Sequence, residues 1–389
     1  EAVADGLRAA LPAPPPSRPR RSKRPRVAFV VQRFGEFIVG GAEAHARQVA
    51  LALAPRVNVE VFTTCATDHL SWKNELPPGT SRDGPLTVHR FPASRFRNIR
   101  AFNRTSKEVF GTPQDLVAET RWLADQGPTA PALLDALVAA RERFDAVAFF
   151  TYLYQPTVYG VPLLADRALV VPTAHDEPPL AFHLYADVFE RPRALLCNTP
   201  EEEALIRARF PNAAPSSVVG VGVTPLPARP ERFRDAFDLA GPYLLYVGRM
   251  EAGKGVAELL EFHQAMVRAF HDAPTLVLAG AGELKPKGAR VLAVGRVDEQ
   301  TKWDALSGAL AVVVPSRYES LSLLALEAFA VGTPIIGHTA GAVVRGQLER
   351  SQGGAGYDDE ASFLEAVRVV GERRGPLSKR ARAYGAKHQ

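Results

Sequence analysis

The sequence predicts an α/β protein built from two doubly wound parallel-sheet units. Three observations carry that prediction. From Arg26 onward, short β-rich apolar runs alternate with runs of helical spacing. A Pro-rich break, "TPLPARPERFRD" at 224–235, interrupts the alternation, which then restarts. The chain has 389 residues, long for one domain, so two of ordinary size are the natural expectation. Strands that are apolar throughout and separated by helices belong to parallel sheets covered on both faces.

The elements follow in order. "RVAFVVQ" (26–32) reads as a buried strand, and "AEAHARQVALALA" (42–54) has the apolar spacing of a helix. "NVEVFTT" (58–64), "LTVHRFP" (86–92), "AVAFFT" (146–151), "ALVVPTA" (168–174), "ALLCNT" (194–199) and "SVVGVGV" (217–223) read as further strands. Helical runs such as "PEEEALIRARF" lie between several of them. After the break come "PYLLYVGR", "TLVLAG", "VLAVGRV", "AVVVPS" and "TPIIGH", each trailed by a helical run. The division is therefore a basic Pro/Arg-rich tail over 1–25, expected to be disordered, and a first Rossmann-like domain over 26–223. A linker over 224–240, a second Rossmann-like domain over 241–375 and a terminal helix over 376–389 complete it.

Composition narrows the function classes. Apolar residues make up 46% of the chain, enough for proper cores. No run approaches the roughly 18 uninterrupted apolar residues of a membrane span, and "RPRRSKRPR" lacks the apolar region and cleavage site of a signal peptide. Residues 1–26 hold seven Lys/Arg and two acids, so the formal +5 of the whole chain resides there and the remainder is neutral. That argues against nucleic acid as a partner. Weak attachment of the tail to anionic lipid is a second reading beside that of a solvated leader. Cys65 and Cys197 lie in strand-like runs with no metal spacing, as buried thiols of a reducing compartment would.

In doubly wound sheets, ligands bind beyond the carboxyl ends of the strands. Four loops there are candidates. Gly40 and Gly41 in "VGGAEAHARQVA" sit between a strand and a helix N-terminus, where backbone N–H groups can approach an anion. The spacing is not G-x-G-x-x-G, and an ordinary tight turn fits equally well. "VPTAHDEPP" places His175, Asp176 and Glu177 at the end of a strand; taken alone, it reads as a capped turn with a surface His. "YVGRMEAGKGVAELLEF" holds Arg249 and Lys254 at a helix N-terminus, a setting suited to a diphosphate, although no Walker A spacing is present.

The fourth is "PSRYESLSLLALEAFAVGTP" (315–334). Glu319 falls in the loop, Ser320 or Ser322 is expected to cap the helix, and Glu327 lies inside it. A five-to-seven-residue advance puts Glu327 roughly 8–10 Å along the axis, and eight residues turn about 80° past two full turns. Both acids can then face one groove, at two heights along an extended ligand. The plainer alternative is a loop Glu and a half-exposed helical Glu.

Taken together and in order, these motifs resemble family-four glycosyltransferases of the GT-B architecture. "GGAE" follows the first strand, a His-containing loop a later one, and "NTPEEEALI" and "VVGVGV" close the first unit. "GRMEAGKG" opens the second, and then come "GRV" and an E-x7-E pattern with "EAFAVGTP" behind it. The resemblance spans roughly 26–385. It implies a GT-B fold: two Rossmann-like doubly wound parallel-sheet domains facing across a cleft, the acceptor on the first and the nucleotide-sugar on the second.

By that resemblance, Arg249 and Lys254 would hold the donor diphosphate and Glu327 the ribose hydroxyls. Glu319 would contact donor-sugar hydroxyls, with the backbone of Ser320, Leu321, Ser322 and Leu323 near the sugar or phosphate. His175 would sit beside the anomeric centre, Gly40 and Gly41 would leave room for phosphates, and Arg296 and Val297 would border the base. The implied activity is retaining glycosyl transfer of hexosyl type. No cofactor is expected beyond the nucleotide-diphosphate sugar donor, and no metal, since no D-x-D lies at a strand end. The acceptor is left open among glycan, lipid-linked and small molecules. The implied location is cytoplasmic, with a peripheral place at the inner membrane face as the further option.

The chain departs from the pattern in places. "SLS" (320–322) stands where a Gly-rich G-F-G is usual, Thr224 where an acid or Asn is common, and "GHTAGAVVRGQLERSQGGAGYDD" lacks an acid before its valines. The long terminal helix that crosses back onto the first domain is read as cut short. "HRFPASRFRNIRAFNRTSK" (89–107) holds Arg90, Arg95, Arg97, Arg100, Arg104 and Lys107 among apolar residues. It reads either as a surface for anionic membrane or a phosphorylated lipid acceptor, or as an ordinary loop whose charges pair elsewhere; the second is preferred. A GT-B epimerase would need further acids near the sugar, and a two-domain binding protein would not need the Arg249–Lys254 pair.

Overall fold

The computed structural model describes residues 24–38 and 40–388, so the tail expected over 1–25 lies outside it except for Arg24 and Pro25. Among the described residues the strands form two sheets. The first contains β1 (Arg26–Val30), β2 (Asn58–Thr64), β3 (Gly79–Asp83), β4 (Leu86–Phe91), β5 (Ala146–Phe150), β6 (Ala168–Val171), β7 (Ala194–Cys197) and β8 (Ser216–Val218). Its order is β3-β4-β2-β1-β5-β6-β7-β8, parallel except for β3, which runs antiparallel to β4. The second contains β9 (Tyr243–Val247), β10 (Thr275–Ala279), β11 (Val291–Gly295), β12 (Ala311–Val314), β13 (Ile335–His338) and β14 (Gly354–Tyr357). Its order is β11-β10-β9-β12-β13-β14, parallel throughout.

The apolar runs form the central strands because their two faces are both covered. In the first sheet, Val30 and Val147 pack into one core and Phe29 and Phe150 into the other. In the second, Leu245 and Val312 face one core, and Leu244 and Val313 the opposite one. β3 ("GTSRD") and β14 ("GAGY") carry almost no apolar pattern, and both are edge strands.

Two elements differ from the sequence reading. The strand expected over 217–223 ends at Val218, because Gly220 turns to φ +63° and leaves the extended conformation. The connection expected as plain linker carries a helix, Pro230–Ala236, with Pro in its first turn. Phe233 of that helix is buried, and Arg232 Nε lies 2.7 Å from Asp304 Oδ2 of the helix Glu299–Gly308.

The terminal helix, Arg374–Gly385, lies against the helix Leu323–Val331. Tyr384 meets Phe329 edge-on at 5.4 Å, and a Cβ on Gly385 would come within 2.4 Å of the Phe329 carbonyl. Beyond it, the His388 carbonyl accepts from the Val223 amide at 2.6 Å, at the connection between the sheets. Across the cleft, Thr199 Oγ1 donates to the Ser320 carbonyl at 3.2 Å, and Arg350 pairs with Glu201.

Candidate active site

The order of the second sheet reverses between β9 and β12, which makes a crevice beyond their carboxyl ends. The loops leaving those ends are 248–255 and 315–322. Gly255 presses them together: its φ is +71°, and a Cβ there would stand 2.5 Å from the Pro315 carbonyl. Above this contact Lys254 Nζ lies 2.9 Å from Glu319 Oε1. The residues expected at the diphosphate and at the sugar therefore touch.

The helix after Glu319 begins at Leu323. Neither Ser320 nor Ser322 caps it, contrary to the sequence expectation: Ser322 sits at the N-cap position in the left-handed region (φ 56°), and its side chain makes no capping bond. The backbone N–H groups of Ser320 to Leu324 meet no acceptor among the described residues. Their segment is nevertheless fixed, because the Leu321 carbonyl accepts from Gln347 Nε2 at 2.6 Å and the Ser320 carbonyl from Thr199. A fixed row of unpaired N–H groups at a helix start is a binding surface for negative charge or hydroxyl oxygen.

Glu327 answers to a different cation. Its Oε1 lies 2.7 Å from Lys302 Nζ, which also bonds Glu299 at 3.0 Å. Burial raises the Glu327 carboxyl above the ordinary range, opposed by Lys302. Lys302 stands on the helix Glu299–Gly308, capped by Asp298, whose side chain accepts from the Thr301 amide at 2.7 Å. Arg296 and Val297 immediately precede that cap, with Arg296 exposed.

Arg249 faces the first domain. Its Nη1 lies 3.0 Å from Glu251 Oε2 and 3.3 Å from His69 Nε2. Burial, together with Arg33, Arg249 and Arg97, pulls His69 down to about 4, so the ring is neutral at neutral pH and can accept from the guanidinium. Behind it Arg33 Nε bonds Glu43 Oε1 at 2.8 Å, and Gln32 Nε2 bonds the same oxygen at 2.9 Å. Glu43 also leaves no room for a side chain at Gly40, where a Cβ would sit 2.1 Å from Glu43 Oε2, whereas a Cβ on Gly41 would meet nothing within 4 Å.

His175 follows β6 and meets Tyr318 of the second domain, with ring centroids 5.8 Å apart. Its Nδ1 lies 3.7 Å from Glu177 Oε1, which accepts from the buried Tyr152 hydroxyl at 2.7 Å. Glu202 braces the same loop, accepting from the Ala174 amide at 2.6 Å and the Asn198 amide at 2.5 Å. Burial pushes its carboxyl up to about 8. Beside His175 is a cavity of about 350 Å³ with Asp176, Glu177, Leu180, Arg209 and Tyr318 in its lining.

Sequence reasoning missed His69, Lys302, Glu202 and Tyr318. Glu202 stood in the quoted "NTPEEEALI" and Tyr318 next to Glu319, but nothing in "TDHL" or "EQTKW" set His69 or Lys302 apart from surface residues. Among the described residues, no helix is long and apolar enough to cross a membrane.

The fold and the crevice define a two-domain protein of the GT-B class, with two Rossmann-like parallel-sheet domains facing across a cleft. Sucrose-phosphate synthase from Thermosynechococcus elongatus shares the fold with a TM-score of 0.68 at 20% identity, over 94% of this chain and 95% of that one. HepE from Anabaena, solved in complex with UDP and glucose, does so with a TM-score of 0.65 at 15% identity, over 94% and 95%. Residues 241–371 match the sequence family described as glycosyl transferases group 1. In sequence, the chain is 32% identical over 215 residues to a glycogen synthase of Mycobacterium tuberculosis, which covers 50% of this chain and 49% of the relative. This chain thus spans about half the length of that relative.

Proposed function

We propose that this protein is a family-four glycosyltransferase that moves a hexosyl group, with retention and without a metal ion, from a nucleotide-diphosphate sugar to an acceptor on the first domain. The observation that carries the reading is the Lys254–Glu319 contact of 2.9 Å beside the unpaired N–H row of Ser320 to Leu324, at the switch point of the second sheet. The bond between the anomeric carbon and the diphosphate oxygen breaks in such a transfer. Lys254, Arg249 and the N–H row would then stabilise the negative charge that collects on the diphosphate. Glu319, held in place by Lys254, would accept from sugar hydroxyls, and Glu327 from the ribose. His175 would meet the sugar or the acceptor from the opposite wall. A uridine nucleotide is the first donor class to try, supported by the HepE complex with UDP and glucose.

The test is a thermal-shift panel of nucleotide-diphosphate sugars with a chelator present. A cognate donor at about a hundred times its Kd should raise Tm by several degrees. A flat response across the panel overturns the reading, and a response that needs added metal overturns metal independence. His175→Ala should keep the donor shift and slow turnover, and the anomeric configuration of the product decides retention.

A further inference from the structure

The basic stretch at 89–107 divides into a used part and a free part. Arg90 donates to Ser81 Oγ at 2.6 Å and to the Phe34 carbonyl at 3.1 Å, and Arg95 pairs with Asp125 at 2.6 Å. Arg97 lies over the rings of Trp72 and Phe102, 5.2 and 5.0 Å from their centroids, and donates to Gln126 Oε1 at 2.6 Å. Arg100, Arg104 and Lys107 are exposed and make no ion pair or side-chain hydrogen bond among the described residues. They fall at i, i+4 and i+7 of the helix Ile99–Phe110, so they form one stripe on its solvent face. The opposite face packs inward: Phe102 meets Trp122 at 5.5 Å, and Ser106 accepts from the Trp122 indole at 2.9 Å.

Large apolar side chains stand out at both ends of this stripe. Phe96, before the helix, is 57% exposed, whereas Phe110, at its last position, packs on Trp122 and Phe182 with ring centroids 5.6 and 6.0 Å away. Leu116 and Val117, in the first turn of the helix Leu116–Gln126, are 59% and 67% exposed, and Arg121 adds an exposed cation on that helix. The acids nearby are few: Glu108 is exposed, and Asp115 is engaged as the N-cap, accepting from the Ala118 amide at 2.8 Å. The arrangement also has a fixed place relative to the cleft. Arg97, at the start of the helix, stacks on Trp72, which meets Tyr154 edge-on at 5.4 Å, and it lies close enough to His69 to depress that ring's protonation.

We infer that this two-helix surface docks the protein on an anionic phospholipid bilayer. Unpaired cations attract the headgroups, while Phe96, Leu116 and Val117 enter the boundary between headgroups and acyl chains. A protein partner would call for one apolar centre rimmed by polar groups. Here the apolar side chains flank a line of cations, which suits a planar charged interface. The inference goes beyond the proposed transfer reaction and does not rest on it.

The experiment is co-sedimentation of the full chain with phosphatidylcholine vesicles and with vesicles of seven parts phosphatidylcholine to three parts phosphatidylglycerol. Binding should favour the anionic vesicles and weaken as salt is raised. The triple variant Arg100→Gln/Arg104→Gln/Lys107→Gln should lower the partition coefficient by roughly tenfold or more. Leu116→Ser/Val117→Ser should lower it at low salt too, where a purely electrostatic contact would be unaffected. Both variants change exposed positions, and an unchanged Tm confirms that they fold. Equal binding to both vesicle types overturns the inference. So does anionic binding that the triple variant retains, which would place it in the basic tail, or capture of an acidic protein without vesicle binding. The donor thermal shift, measured on the same samples, reports separately on the transfer reading.

Discussion

Lys254 Nζ and Glu319 Oε1 stand 2.9 Å apart although 65 positions separate them in sequence. One side chain was expected at the diphosphate and the other at the donor sugar. Their contact means that each fixes the other before any ligand arrives. It also holds the carboxylate by one oxygen, Oε1, beside the crevice. On the proposed reading a donor meets a preset pair, so the two residues should fail in different ways when removed.

Lys254→Ala should weaken UDP binding by about 10- to 100-fold, the range for losing a hydrogen bond to a charged group. Glu319→Gln should leave UDP affinity within a few-fold, because UDP carries no sugar, and weaken UDP-sugar binding instead. Isothermal titration of both ligands against both variants checks this. Equal losses for UDP in the two variants would show that the pair acts as one anion site.

Glu327 and Lys302 make a second pair at 2.7 Å in a less exposed setting. Burial already raises the Glu327 carboxyl. Removing the cation in Lys302→Met raises it further, so the carboxyl proposed to hold the ribose protonates at a higher pH. Nucleotide affinity should then begin to fall at a higher pH in the variant than in the parent as pH is lowered. The unpaired carboxylate should also cost roughly 1–3 kcal/mol of stability. Binding titrations from pH 8 to pH 5 separate this from a simple loss of contact, which would shift affinity equally at every pH.

The legibility of this protein followed its chemistry. Central strands such as Tyr243–Val247 were readable because burial on both faces demands unbroken apolar residues. β3 and β14 were not, because edge strands make no such demand. Arg249, Lys254 and Glu319 were singled out through their place after a strand, and Glu327 through its spacing from Glu319. Lys302 and His69 were invisible because their meaning comes from partners 25 and 180 positions away. The capping serine failed for a backbone reason: "SLS" turns through φ 56° at Ser322, so the side chain cannot reach the N–H groups it would cap.

Imidazoles with lowered pKa set an acid limit on stability. Burial holds His45 and His69 down at about 4, against 6.5 for a free ring. Between those values the unfolded chain binds more protons than the folded one. The stability they contribute is therefore complete above pH 6.5 and falls as pH drops toward 4. For the fully buried His45 the whole fall is about 3 kcal/mol, and for the partly exposed His69 it is smaller. Over pH 6.5 to 5 the raised Glu202 carboxyl pulls the other way, so the readout is the difference between variants: the urea midpoint of His45→Gln should fall less, or rise more, than that of the parent as pH drops. An unchanged slope would assign the acid sensitivity to other groups.

Gly255 is the position where backbone geometry and chemistry meet. Its φ of +71° disfavours any side chain, and a Cβ would stand 2.5 Å from the Pro315 carbonyl, an atom of the loop that carries Glu319. Gly255→Ala must either force the 248–255 loop off the 315–322 loop or strain both. The left-handed conformation alone costs roughly 1–2 kcal/mol, and the clash adds to it. The variant should lose Tm and should also lose donor binding, because separating the loops pulls Lys254 from Glu319. Gly253→Ala is the control: a Cβ there meets nothing within 4 Å, so the same small side chain two positions away should leave donor binding within a few-fold. If Gly255→Ala lost stability but kept full UDP-sugar affinity, the Lys254–Glu319 contact would not depend on the packing of the two loops, and the preset pair would have to be held by the side chains alone.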